Sequence, residues 1–366
     1  MRLKTLRLQN FRSYQSAALT APEGVTVIVG ENGTGKTNLL EAIHLCCLGR
    51  SHRTSEDRDL IRQGSETAAA ELIVERRDGT HDVGVRLYRE ARRKKLIYVN
   101  GKTASRMGDL IGHATCVIFS PEDLSVVKDG PAVRRRYLDM LLSQLQRAYF
   151  YALQTYTSTL RQRNALLKAL AAGGSKNQLD VWDEQLARAA APLVRLRAET
   201  ARALDGLAFR HYAFISGRDD EAFRLTYETT LSWEEPEADM LRQLRARRDD
   251  ELRRAVTLVG PHRDDLCLTL SGQDFQATGS QGQARTAALA LKLSAFDLLS
   301  ESQGEPPLLL LDDVLSELDS LRRQRLIARV RDCQALLTCT DRTDFIGAEP
   351  ARVLEVRNGQ ILESGS

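Results

Sequence analysis

The chain has 366 residues, a formal net charge of +3, and 42% hydrophobic, 28% charged and 5% aromatic residues. That is room for two domains, or for one large domain carrying an insertion, in a soluble globular protein with charged faces. The near-balanced charge does not by itself demand a polyanion, and no apolar run reaches the ~18 residues of a membrane span.

The N-terminal MRLKTLRLQNFRSY alternates charged and apolar residues and lacks a signal-peptide core. Six scattered cysteines (Cys46, Cys47, Cys116, Cys267, Cys333, Cys339) form no C-x-x-C pair, so neither a zinc site nor a disulfide framework is expected. A reduced, cytoplasmic protein with no membrane partner is the expectation.

In chain order, Leu3, Leu6 and Leu8 lead as a strand to Asn10-Phe11. Val25-Thr26-Val27-Ile28-Val29 is a short β-branched run ending at Gly30, as a buried strand should. Beyond Thr37, Leu39, Leu40, Ile43 and Cys47 recur at helical spacing, giving strand, glycine loop, helix. Residues 67–104 read as an antiparallel meander, broken at Arg77-Asp78-Gly79-Thr80, at 91–95 and at Asn100-Gly101, a strong hairpin signal. Cys116 to Phe119 is one more strand, closed by Ser120-Pro121.

Residues 122–213 are mostly helical. Leu138, Leu142, Leu145, Tyr149, Leu153, Tyr156 and Leu160 fall on one stripe at 3–4 residue steps. A break at Ala171-Ala172-Gly173-Gly174-Ser175 precedes a second series from Trp182 to Leu207, in which Pro192 is expected to kink or split the helix. The two series predict an antiparallel helical hairpin. Residues 222–231 alternate as a strand, and 237–254 read as an exposed helix. From Val256 the chain returns to αβ character: Leu308-Leu309-Leu310-Leu311 before Asp312-Asp313, a helix, Ala335-Leu336-Leu337-Thr338, and a hairpin around Arg357-Asn358-Gly359. The expected fold class is α/β: a head of residues 1–121 and 255–366 with an antiparallel β subdomain, interrupted by a helical arm of residues 122–254.

Three segments carry chemistry. Gly30-Glu31-Asn32-Gly33-Thr34-Gly35-Lys36-Thr37 fits G-x-x-x-x-G-K-[ST] between a strand and a helix. Its glycines let backbone amides close around phosphates at a helix N-terminus, Lys36 reaches the β- and γ-phosphates, and Thr37 holds Mg²⁺. Asp312 and Asp313 end a buried-type strand, where carboxylates emerge beside a phosphate loop; Asp312 is the candidate Mg²⁺ residue and Asp313 the group that polarises the attacking water. Ser280-Gln281-Gly282-Gln283 opens a helix spanning Ala287 to Leu299 and offers a second phosphate grip through Ser280, Gly282 and Gln283. Two grips in one chain imply a sandwiched nucleotide.

In that order, and with Ser316-Glu317-Leu318-Asp319 following, these segments resemble an ABC-type ATPase head. The resemblance narrows to the RecF family through Leu8 to Tyr14, Phe119 to Leu124, Arg134 to Asp139, Arg161 to Asn164 and Val259 to Asp265. It implies a two-lobed head with a helical arm, ATP and Mg²⁺ as cofactors, ATP-dependent homodimerisation with 316–319 along the dimer interface, slow hydrolysis, and DNA binding. It also implies work with RecO and RecR at gaps, where RecA is loaded. In relatives of the SMC type the arginine after Asn-Phe approaches the phosphates, which makes Arg12 the candidate here. The sequence departs from the family pattern of transporter ATPases at Gly279 and Gln281, and Thr340 stands where many ABC proteins place a switch histidine. The segment Gly260 to Asp265 has no derived role, and His262 reads as structural.

Residues 131–170 hold seven Arg/Lys and one acid, a net of +6. Treated as one helix, they place Arg136, Arg147, Arg161 and Lys168 opposite the apolar stripe, a ridge suited to the backbone of single- or double-stranded DNA with little sequence preference. Arg92-Arg93-Lys94-Lys95 is a second basic cluster. A plain solvated face is the competing account of both. A transporter ATPase subunit and a non-hydrolysing DNA-binding scaffold are the alternative functions. The 242 residues between Thr37 and Ser280 weigh against the first, and the intact Asp312-Asp313 pair against the second.

Overall fold

The computed structural model describes residues 1–90, 95–171, 179–331, 333–341, 345 and 349–363. Its elements are β1 (Arg2–Phe11), β2 (Tyr14–Thr20), β3 (Val25–Val29), α1 (Lys36–Leu48), β4 (Thr67–Arg76), β5 (Gly79–Tyr88), β6 (Lys95–Val99), β7 (Lys102–Thr103) and β8 (Cys116–Phe119). There follow α2 (Leu124–Lys128), α3 (Pro131–Leu145), α4 (Arg147–Ala171), α5 (Leu179–Ser216), β9 (Phe223–Glu228), α6 (Pro236–Ala246) and α7 (Arg248–Arg254). The last are β10 (Asp265–Leu270), β11 (Gln273–Asp274), α8 (Phe275–Thr278), α9 (Gln281–Gln303), β12 (Leu308–Asp312), α10 (Ser320–Val330), β13 (Ala335–Cys339), β14 (Arg352–Arg357) and β15 (Gln360–Glu363). Among the described residues no helix is long and apolar enough to cross a membrane.

Two compact units emerge. The first comprises Met1–Leu124, His211–Arg218 and Ala288–Ser366; the second comprises Ser125–Arg210 and Asp219–Ala287. The first holds two six-stranded sheets. One is antiparallel, in the order β2-β1-β4-β5-β6-β7, and contains the expected meander. The other, β15-β14-β3-β13-β12-β8, is parallel except at its β14·β15 hairpin. Its central strands are mostly apolar because both faces are covered, and every residue of β12 and β13 is buried. Helix α1 packs on β1, β4 and β5 of one sheet and on β8, β12 and β13 of the other, so eleven of its thirteen residues are buried. A helix clad on both sides needs no polar face, which is why its apolar residues run all round.

The second unit holds the short sheet β11-β10-β9 and most of the helices. It also claims residues 255–287, which were expected in the head, because β10 pairs with β9 along its whole length, from Asp265↔Glu228 to Leu270↔Phe223.

Three local expectations are corrected. The stripe from Leu138 to Leu160 is two helices, since Gln146 takes an extended conformation (φ −141°, ψ 111°) between α3 and α4. Pro192 does not split α5, which runs unbroken for 38 residues. The buried neighbours Ala190, Ala191, Leu193 and Val194 hold the turn where proline removes a donor. The exposed helix expected at 237–254 is α6 and α7, and Glu251 on α7 is fully buried. Residues 92–94 of the second basic cluster, and the expected helix break from Ala172 on, lie outside the described residues. Lys95 donates to Gly49 O at 2.8 Å and pairs with Asp57 at 2.7 Å.

Buried charge organises the second unit. Arg163, fully buried on α4, binds Asp183 at 2.7 Å, Glu251 at 2.6 Å and Thr257 Oγ1 at 2.8 Å. Arg197 on α5 binds Asp139 at 2.8 Å, Tyr149 at 2.9 Å and Pro261 O at 2.6 Å. The segment Gly260 to Asp265, silent in the sequence, is thereby the bracket of the unit: Asp265 takes Arg134 in a two-bond fork at 2.8 and 2.7 Å, and Asp264 accepts from Tyr227. His262 Nε2 lies 3.1 Å from Thr257 O and its Nδ1 2.6 Å from Tyr156 Oη. The carbonyl can only accept, so Nε2 carries the proton and Nδ1 accepts from the tyrosine. Burial pushes the His262 pKa down to about 4, in keeping with that neutral form and a structural role.

Arg163 generates a stability prediction. Arg163→Met strands the Glu251 carboxylate without its cation, while Asp183 retains Arg248 at 2.7 Å. The loss should be ~3–5 kcal/mol. Adding Glu251→Met should recover most of it, measured as urea midpoints of the two variants beside the parent.

Candidate nucleotide site

The site begins where β3 ends. Gly30 N–H donates to Cys339 O at 3.3 Å, and a Cβ on Gly30 would lie 2.6 Å from Val356 O, so the loop leaves the sheet through a gap that only glycine fits. Gly35, which caps α1, has φ +116°, a conformation other residues avoid. A Cβ there would also meet Ser13 Oγ at 2.5 Å. Buried Tyr14 fastens the same point by donating to Gly35 O at 3.0 Å.

Inside the loop, Lys36 is 6% exposed and donates to Gly30 O at 2.5 Å and Glu31 O at 3.0 Å. Among the described residues it has no carboxylate partner, so a buried ammonium rests on neutral carbonyls. A charge so placed lacks a counter-charge within the loop.

The two aspartates arrive on the neighbouring strands. Asp312, at the end of β12, faces Thr338 of β13 across the parallel register. Its Oδ1 accepts from Thr37 Oγ1 at 2.8 Å and from Thr338 Oγ1 at 2.7 Å. Burial raises the Asp312 pKa above the usual carboxylate range, against the pull of the Thr338 and Thr37 hydroxyls. Asp313 N–H donates to Thr338 Oγ1 at 3.0 Å, so one hydroxyl aligns both aspartates. Asp313 sits at φ +50°, turning the chain out of the sheet, and Ser316 Oγ donates to its backbone oxygen at 2.8 Å.

The structure thus brings Gly30 to Thr37, Asp312 and Asp313 into one place. Thr340, at the switch position, lies 3.4 Å from Asn32 Oδ1. Arg12 lies beside the site, but its guanidinium is held by Glu41 at 2.8 and 2.9 Å and by Asp59 O at 2.9 Å. Glu41 also accepts from Ser51 at 2.5 Å. Thr338, Tyr14 and Glu41 are the participants that motif reasoning overlooked; only the register of β13 against β12 discloses the first.

Ser280, Gly282 and Gln283 belong to the second unit, at the start of α9. Gly279, where the sequence departs from the transporter pattern, has no room for a side chain, since a Cβ there would lie 2.5 Å from the Phe275 ring. In the basic ridge, Arg147, Arg161 and Lys168 are exposed and share one face of α4. Arg136 is exposed on α3, so helical phase no longer ties it to the other three. Arg163 is turned inward altogether, and Arg134 is buried with Asp265.

Residues 2–361 match the family described as RecF/RecN/SMC N terminal domain. The chain is 42% identical to the DNA replication and repair protein RecF of Symbiobacterium thermophilum, over 99% of this chain and 98% of that protein. The chain belongs to the RecF family. The RecF of Clostridium tetani is 36% identical over the full length of both chains. Two solved structures of the recombination mediator protein RecF in the RecFOR pathway, one as RecF-ATPrS and one as RecF-ATP, superpose with a TM-score of 0.92 at 33% identity. The first covers 100% of this chain and 98% of that one; the second covers 99% and 97%. The Smc head domain of Pyrococcus furiosus shares the fold, with a TM-score of 0.58 at 18% identity, covering 99% of this chain and 95% of that one. The RecF fold is that of an ABC-type ATPase head, as the order of motifs implied.

Asp312 yields a prediction with a definite sign. A carboxyl whose pKa is raised on folding favours the folded state below its ordinary pKa and loses that contribution as pH rises through the folded value. Asp312→Asn keeps an oxygen for both threonines and removes the buried charge. It should therefore melt above the parent at neutral pH, with the gap closing below about pH 4. A lower melting temperature for Asp312→Asn at pH 7 would contradict the buried-charge account.

Proposed function

We propose that this chain is an ATP-dependent DNA-repair protein whose nucleotide switches its dimerisation and its grip on DNA. The observation that carries the proposal is the buried Lys36 ammonium on neutral carbonyls beside the Thr37–Asp312 pair. That is a pocket prepared for triphosphate and a divalent cation. Thr37 and Asp312 would hold Mg²⁺, Asp312 mostly through water, and the bound cation supplies charge neutralisation at the phosphates. The loop amides and Lys36 orient the triphosphate, and Asp313 polarises the attacking water. Ser280, Gly282 and Gln283 complete the site from a second copy of the chain. Hydrolysis is slow and DNA-stimulated. Arg12 turns from Glu41 toward the phosphates when nucleotide binds.

Exposed Arg147, Arg161 and Lys168, with Arg136, support contact to the backbone of single- or double-stranded DNA. The similarity to a mediator of the RecFOR pathway supports partnership with RecO and RecR at gaps and assistance to RecA loading, in the cytoplasm. The division proposed for these tasks is a nucleotide head and a helical arm. Molecular mass in solution, with and without ATP and DNA, tests the switch directly. Absence of any turnover would instead favour the non-hydrolysing scaffold.

Two predictions follow from this reading. Reversing Arg147, Arg161 and Lys168 to Glu should weaken DNA binding and reduce the slope of log K against log salt by about 2–3, with ATP affinity unchanged. An unchanged slope returns that face to ordinary solvation. Lys36→Met and Ser280→Arg should each be inactive alone. Mixed, they should recover about a quarter of parental sites if chains pair at random and sites act independently, because one site of each heterodimer unites an intact loop with an intact signature. No recovery of hydrolysis or dimerisation, once chain exchange is demonstrated, would rule out a shared site.

A further inference from the structure

The segment Ser280 to Gln283, the signature of the second phosphate grip, opens α9 with a closed ring of hydrogen bonds. Ser280 N–H donates to Gln283 Oε1 at 2.9 Å, and Gln283 N–H donates to Ser280 Oγ at 3.3 Å, a reciprocal capping box. The second bond uses a lone pair of the serine, which leaves its O–H to donate elsewhere. Gln283 Nε2 donates to Glu221 Oε1 at 3.1 Å. These contacts fix the amide's orientation. Its oxygen must face the backbone N–H, and its nitrogen must face the carboxylate.

The loop is held from beneath as well. Gly279 lies on the Phe275 ring, which meets Phe223 edge-on at 5.6 Å between centroids. All these residues belong to the second unit. Glu221 stands 62 positions before Gln283 and in no motif.

We propose that Glu221 is a positioning residue of the nucleotide site: its carboxylate holds the Gln283 amide, the amide holds Ser280, and the serine hydroxyl is thereby presented to the γ-phosphate bound on a second copy. This inference rests on the shared-site reading above and adds a residue to it. Glu221 touches no substrate and acts only through Gln283. Its effect belongs to the ATP-bound dimer and not to capture of ATP by a single chain.

The test uses the full-length chain with Mg²⁺ and ATP, and compares ATP-induced dimerisation by light scattering with ATP affinity of the monomer, the latter measured in a Ser280→Arg background. Glu221→Ala should weaken the dimer about tenfold or more, the scale of losing a charge-assisted hydrogen bond. Monomer affinity should be unmoved. Glu221→Gln keeps an acceptor for Gln283 and should dimerise nearly as the parent does.

Gln283→Glu should be impaired, because two carboxylates then face each other. The swapped pair E221Q/Q283E restores one donor and one acceptor and should recover dimerisation, which keeps the test decisive if Glu221→Ala folds poorly. If Glu221→Ala dimerises like the parent while Ser280→Arg does not, or if the swapped pair shows no recovery, Glu221 has no positioning role and the shared site stands. If Ser280→Arg itself dimerises normally with ATP, the shared-site reading fails and takes this inference with it.

Discussion

One buried carboxylate sets the geometry of the nucleotide head. Asp312 ends a strand whose residues are all buried, so its charge is largely withdrawn from solvent. Two threonine hydroxyls from different elements relieve that isolation: Thr37 from the first turn of α1 and Thr338 from β13. Neither bond forms unless α1, β12 and β13 are in register, so satisfying one oxygen aligns three elements. The rest follows along the chain. Thr338 accepts from Asp313, Asp313 turns outward at positive φ, and Ser316 steadies that turn. The Asp312 carboxylate, the Thr37 hydroxyl and the backbone of Asp313 are placed by one connected set of contacts.

Buried charges in both units mostly meet partners within the fold, as Glu41 meets Arg12 and Glu305 meets Arg76 in the first, but two in the nucleotide site do not. In the second unit each buried arginine meets its acids within the fold, and Arg163 and Arg197 tie together segments that lie far apart in sequence. In the first, Lys36 and Asp312 are left with only neutral partners among the described residues. Paired charge specifies a packing arrangement; unpaired charge in a pocket costs stability and is retained for binding. This contrast separates His262, Asp264 and Asp265, whose side chains are paired within the unit, from the loop around Lys36.

Much of this was legible in the residues. Runs such as Val25 to Val29 and Leu308 to Leu311 announce buried strands, and Asn100-Gly101 forms its turn with both residues at positive φ. Gly30 to Thr37 could be read because its parts are contiguous and its chemistry depends on the backbone. Thr338 could not, since a threonine ending a strand is unremarkable until register sets it opposite Asp312. The break at Gln146 was hidden because Leu142, Leu145 and Tyr149 keep helical spacing across it. Arg163 added to the apparent net charge of residues 131–170 because its acid Glu251 lies 88 positions away. Contiguity is what sequence displays; pairing across long separations is what it conceals.

The parallel sheet has a further consequence for how the protein is made. Strand β3 is completed by β13 on one side and β14 on the other, so Val25 waits for Ala335 and Thr26 for Arg352. While the chain is still on the ribosome, β3 has neither neighbour, and α1 lacks the β12 and β13 surface that should cover it. Contacts this remote are slow to close, and apolar segments exposed meanwhile are open to aggregation. The phosphate loop sits between those two elements and cannot take its final form until translation has passed residue 357. A chain cut short before β13 would keep the β1, β4, β5, β8 and β12 surfaces that cover α1, but would leave β3 without either neighbour and Asp312 without Thr338.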